Sequence, residues 1–161
     1  MSGFRCGDTG NGQRNFMEAR MNKEKLIAQL RVHEGVEHTV YNDTMGIPTI
    51  GVGRNLKDKG LSDQEIDYLL SNDIDAFAEE VATAFPWWET LDEVRQRVMV
   101  DMAFNMGTRG LSNFKITLGH IEAGRFSEAA EEMLNSRWAR QVGNRSQVLS
   151  DMMKTGDDHG Y

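Results

Sequence analysis

The sequence predicts an α+β fold with segregated elements, a small β-hairpin lobe joined by a long helix to a larger helical lobe. Three observations predict it. Strand texture is concentrated between Tyr41 and Val52, a run of apolar residues with helical period follows from Ser62 to Pro86, and several shorter helical patterns then crowd the C-terminal half. At 161 residues, with 39% hydrophobic and 27% charged residues, the chain suits one domain or two small lobes sharing a core.

Residues 1–20, rich in Gly, Asn, Arg and Asp without apolar period, read as a flexible N-terminal arm. Residues 21–161 read as a single domain, with a small lobe at about 35–62 and a helical lobe at about 85–161 packed with helix 22–34. Leu26, Ile27 and Leu30 share one face of that first helix, Asn22 is placed to cap it, and Gly35 stops it. Glu34 therefore falls at the helix C-terminus, where the macrodipole disfavours a carboxylate unless a cation offsets it. The segment Tyr41 to Val52 predicts a hairpin or three-strand meander, with Pro48 confining its strand to an edge or an irregular position. Ser62 and Glu65 form a capping box ahead of Ile66, Leu69, Leu70, Ile74, Phe77 and Val81. Pro86 ends that long helix, and Trp87 and Trp88 after it read better as a hydrophobic plug than as a sugar-stacking pair. A second strong helix opens near Asp92 and runs through Val94, Val98, Met102 and Met106 to Gly107; its wide apolar arc predicts the central buried helix. Shorter helices follow at about 112–123, 126–135, 137–142 and 144–154, with Trp138 expected in the core.

Several function classes are disfavoured. A net charge of −7 argues against a nucleic-acid partner, which needs clustered Lys and Arg. No apolar run predicts a membrane span or a signal peptide, so stable membrane insertion is not expected. The one cysteine, Cys6, cannot close an internal disulfide. The four histidines lack metal-ligand spacing, so no metal and no cofactor are expected. Against the acidic background, the stretch from Asn135 to Leu149 carries Arg137, Arg140 and Arg145 without an acid and suits an anionic ligand.

Three polar residues fall on the first helix end and the hairpin beside it: Glu34, Asp43 nine positions on, and Thr49 six beyond. Acid-catalysed cleavage of a glycosidic bond requires one carboxyl that holds its proton and another that is ionised. Glu34, after an apolar helix face, suits the first role; Asp43, in a polar turn, suits the second. With 25 acidic residues in the chain, chemistry alone leaves open that both are solvated surface charges.

The context narrows the choice. Glu34-Gly35, Tyr41, Asp43-Thr44, Gly46 and Thr49-Ile50-Gly51-Val52-Gly53 resemble the catalytic segment of the T-even phage lysozymes, glycoside hydrolase family 24. The similarity extends through Asp92-Glu93-Val94-Arg95, Met102 to Gly107, Phe114, Glu128-Ala129-Ala130, Ser136-Arg137-Trp138, Asn144-Arg145 and Thr155-Gly156. It implies a lysozyme-like fold and hydrolysis of the peptidoglycan glycan strand. It further implies Glu34 as general acid, Asp43 assisting a water on the opposite face, Thr49 positioning that water, and inversion at the anomeric centre. Arg145 matches the arginine that pairs with the catalytic glutamate. Phe104 and Thr117 match positions touching sugar, Arg137 a basic residue near the peptide stem, and Asn55 and Glu132 stand where those enzymes carry Leu and Asn. Phe104 fits core and cleft wall equally well. The segment after Gly53 is short, which predicts a reduced small lobe.

The resemblance also implies a monomer held in the host cytoplasm and released toward the periplasm and cell wall through a holin pore. Alternatives are a tail-associated lysozyme, a lytic transglycosylase, which needs only one carboxyl, and a non-catalytic peptidoglycan-binding module.

Overall fold

Asn22 begins the first helix as its cap, the side-chain oxygen accepting the Lys25 N–H at 2.8 Å. Such a cap satisfies one of the orphan donors of the first turn and contributes about 1 kcal/mol. Helix α1 (Lys23–Glu34) ends at Gly35, which takes φ 76°, a conformation that favours glycine. The computed structural model describes residues 21–160, so the arm expected over 1–20 and Cys6 lie outside the described residues. The described residues up to Ser62 form one compact unit, and those from Asp63 form a second.

The first unit continues from α1 into a three-stranded antiparallel sheet in the order β1 (Glu37–Asn42), β2 (Pro48–Gly51), β3 (Arg54–Asn55). Tyr41 faces Thr49, and Glu37 faces Gly51, so four positions of β1 run against two of β2 and the strand bulges between them. Of the two placements expected for Pro48, an edge strand or an irregular position, the edge is corrected: β2 is the central strand, and its pairing with β1 is irregular. Proline is tolerated because it opens the strand, where no ladder donor is required, and its carbonyl still accepts the Leu56 N–H at 2.9 Å. The loop after β3 is closed by side chains. Asn55 and Asp58 exchange two hydrogen bonds, and the Arg54 guanidinium donates twice to the Gly60 carbonyl.

The second unit opens with α2 (Asp63–Ala84), whose apolar stripe is buried only toward its C-terminal end at Val81; Ile66, Leu69, Leu70 and Ile74 are exposed. A 3₁₀ turn (Pro86–Thr90) follows, with Trp87 and Trp88 half-buried against the core. Trp88 is anchored by its indole N–H on the Gln96 carbonyl, in keeping with the plug reading.

Helix α3 (Glu93–Met106) is the centre of this unit, as its apolar arc predicts: Val98, Met99, Met102 and Ala103 are all buried. Around it stand α4 (Thr108–Leu111), α5 (Lys115–Glu122), α6 (Phe126–Asn135), α7 (Arg137–Val142) and α8 (Asn144–Thr155). The sequence pattern joins Ser112 to the helix now seen to start at Lys115 and passes over α4, because a single turn carries no period. Met133, Leu149, Met152 and Met153 complete the core, each such burial contributing roughly 1.5–3 kcal/mol. Helices α6 and α8 pack directly, and the Ser150 hydroxyl donates to the Ala130 carbonyl at 2.8 Å between them.

One arginine ties the two ends of this unit together. Arg95 donates to the Met153 and Lys154 carbonyls at the end of α8, pairs with Asp92 at 2.6 Å, and lies 3.7 Å over the Phe126 ring. Asp92 also caps α3 by accepting the Arg95 N–H. Partial burial pushes the Asp92 carboxyl up, but the Arg95 side-chain bond, its N–H and its charge outweigh this, so the net displacement is downward. At the C-terminus the Gly160 N–H and then the Arg97 guanidinium hold the Asp158 carboxyl below its ordinary value.

Candidate active site

The three residues predicted to carry chemistry all lie in the first unit. Glu34 is the last residue of α1 and its side chain is exposed. It extends along Gly53, just beyond β2: a β-carbon built on Gly53 would lie 3.3 Å from Glu34 Oε2, 3.6 Å from Cδ and 3.8 Å from Cγ.

Asp43 sits half-buried at the start of the turn between β1 and β2. Its Oδ1 accepts two backbone N–H groups, from Met45 at 2.8 Å and Ile47 at 2.9 Å. The Gly46 N–H closes the turn on the Asp43 carbonyl, with Gly46 at φ 74°. Thr49, on β2, is 4% exposed and donates its hydroxyl to the Ile47 carbonyl at 2.9 Å. The Ile47 carbonyl also accepts the Asp43 N–H at 3.0 Å. One peptide residue, Ile47, thus fixes both side chains.

The chemical consequence follows from counting donors and acceptors. Asp43 Oδ1 is occupied by two donors, and neither of these bonds uses Oδ2. Thr49 has spent its only hydrogen on Ile47, so toward a water its oxygen acts as an acceptor. Both side chains thus keep acceptor capacity beyond their bonds within the turn. Residue patterns did not reveal the part of Ile47, because it acts through its backbone and its side chain reads as an ordinary strand residue.

The remaining candidates are distributed. Asn55, in the first unit, has both ends of its amide engaged by Asp58. In the second unit Thr117, Glu132 and Arg137 come together, lining an open groove of about 550 Å³ with Phe114, Lys115 and Trp138. Thr117 is buried and Arg137 exposed, while Trp138 is buried, with its indole N–H on Asn105 Oδ1 at 2.9 Å. Phe104 is not in this groove. It is 41% exposed, stacks at 5.4 Å on Phe77, and lines a separate recess of about 390 Å³ with Leu70, Ile74 and Arg145. Arg145 is held within its own unit by Asp101, its Nε and a terminal nitrogen reaching Oδ1 at 2.9 and 2.7 Å. Asp101 was not anticipated, since an acid one turn before Phe104 on a helix has no distinguishing pattern.

Comparison with known proteins agrees with this architecture. The family model described as phage lysozyme matches residues 31–154. The chain is similar to probable T4-type lysozyme 1 of Dictyostelium discoideum, at 29% identity over 142 residues, covering 86% of this chain and 77% of that protein. Probable T4-type lysozyme 2 of the same organism is 28% identical over 160 residues, covering 81% of this chain and 94% of the relative. The pre-baseplate central spike protein Gp5 of Enterobacteria phage T4 is 28% identical over 164 residues, covering 84% of this chain but 28% of the spike protein. With most of its length matched, the chain belongs to the phage lysozyme family, and it is a glycoside hydrolase of the lysozyme class.

Proposed function

We propose that this protein hydrolyses the β-1,4 bond between N-acetylmuramic acid and N-acetylglucosamine in bacterial peptidoglycan, with inversion, as a phage endolysin. The arrangement that carries this reading is the pair of acceptors, Asp43 Oδ2 and the Thr49 hydroxyl oxygen, set from either side of Ile47. In the proposed reaction Glu34 gives its proton to the leaving glycosidic oxygen as the bond to the anomeric carbon breaks. A water held by Asp43 and Thr49 adds to that carbon from the opposite face and passes its proton to Asp43. Glu34 is left as a carboxylate and regains a proton from solvent.

In this reading Phe104, Thr117, Glu132 and Arg137 serve the glycan and its peptide stem. The enzyme acts as a monomer and reaches the cell wall through a holin pore. Among the described residues no helix is long and apolar enough to cross a membrane.

The test is release of reducing sugar from purified cell walls. Glu34→Gln keeps the side-chain shape and removes the proton, and should lower release by about 10²–10⁴-fold with an unchanged melting temperature. Substantial activity in that variant refutes the assignment.

The similarity to a phage spike protein favours a second reading, a lysozyme carried on the virion. Immunoblots of purified particles separate the two: an endolysin is absent from the virion, and a tail-borne enzyme is present.

A further inference from the structure

We propose that Gly53 is a positioning residue for Glu34, its missing side chain setting where the proposed proton donor can lie. The inference rests on Glu34 being that donor.

Glu34 ends its helix with an exposed side chain, and among the described residues of its own unit no hydrogen bond to the carboxyl is seen. What lies beside it is the open side of Gly53. Three atoms of the Glu34 side chain, Cγ, Cδ and Oε2, lie within 3.8 Å of the place a β-carbon would occupy. The 3.3 Å approach to Oε2 is closer than such contacts normally allow, so any side chain at position 53 displaces the carboxyl by a few tenths of an ångström. Proton transfer to a glycosidic oxygen is sensitive to such shifts, since a misplacement of about 1 Å can cost about 10²-fold in rate.

Gly53 also has φ 66°, where a β-carbon strains the backbone irrespective of Glu34. The same sheet supplies a control for this strain. Gly51 has φ 68°, and a β-carbon there meets nothing within 4 Å. Gly51→Ala therefore carries comparable strain without the approach to Glu34.

The experiment compares Gly53→Ala, Gly53→Asn, Gly51→Ala and Glu34→Gln for hydrolysis of sonicated peptidoglycan, with thermal melts of each. Asn brings the same β-carbon with better tolerance of positive φ, which guards against a variant that merely unfolds. Both position-53 variants should lose about tenfold in kcat with KM within twofold, while Gly51→Ala stays within twofold of the parent in both constants. In a Glu34→Ala background the melting-temperature loss from Gly53→Ala should shrink to that of Gly51→Ala, because the steric conflict is gone. Retained kcat in the position-53 variants, or an equal loss in Gly51→Ala, overturns the inference. An active Glu34→Gln overturns instead the assignment on which it rests, and the melt comparison still reports the conflict between residues 34 and 53.

Discussion

Ile47 is bonded to Asp43 at both ends of its peptide unit: its N–H is received by the Asp43 carboxylate at 2.9 Å, and its carbonyl receives the Asp43 N–H at 3.0 Å. The turn and the orientation of the carboxylate are consequently one structure. Asn at position 43 keeps an acceptor oxygen for both N–H groups but carries no negative charge, whereas Ala removes the acceptor altogether. Asp43→Asn should melt near the parent and lose at least 10²-fold in activity, while Asp43→Ala should lose activity and about 1–3 kcal/mol of stability. Calorimetry beside a turbidity assay separates the two effects. Equal destabilisation by both substitutions would show that the side-chain oxygen does not hold the turn.

Thr49 offers a sharper distinction, because its hydroxyl donates to Ile47 and has only acceptor capacity to spare. Thr49→Ser retains that arrangement and should keep activity within a few-fold. Thr49→Val keeps the shape of this buried side chain but offers no acceptor, and should lose tenfold or more in kcat together with about 1 kcal/mol of stability. Full activity in Thr49→Val would remove Thr49 from the water site.

The fold was legible in the sequence wherever local chemistry sets a boundary. Asn22, Gly35, Asp92 and Gly107 mark helix ends because caps are written in residue types, and the apolar arc from Val98 to Ala103 marked the central helix. Pro48 misled because the rule on strand prolines concerns ladder donors, and the first residue of even a central strand is exempt. For the candidate site, Glu34, Asp43 and Thr49 stood out only through the family resemblance of the segment that carries them. Ile47 acts through its backbone and Gly53 through an absent side chain, and neither leaves a compositional trace. Arg95 was read only as part of a motif, since its carbonyl partners lie 58 and 59 residues away.

Asp92 carries a pH dependence of defined sign. Its folded-state carboxyl lies below the ordinary aspartate value, so the stability it contributes is present above that value and is lost as pH falls through the depressed one. The melting temperature should therefore decline as pH drops below about 4. Asp92→Asn keeps the helix cap but not the ion pair with Arg95, and should make that decline shallower. An unchanged acid limb would place the sensitivity elsewhere.

The Arg145 to Asp101 pair separates structural from catalytic roles. Both side chains are more than a third exposed, so Asp101→Asn should cost no more than about 1 kcal/mol. Arg145→Ala should cost comparably in stability, and under the role that the family resemblance implies for this arginine it should also lower kcat by about tenfold. Parent-like kcat in Arg145→Ala would leave it a structural role alone.

In the proposed mechanism a water held by Asp43 and Thr49 sets the stereochemistry of the product, so the anomer released first tests that mechanism most directly. Proton NMR in the first minutes of digestion of purified glycan strands should show new N-acetylmuramic acid reducing ends as the α-anomer, with the β-anomer growing only by mutarotation. Initial release of the β-anomer, or of a 1,6-anhydro end, would contradict direct attack by that water.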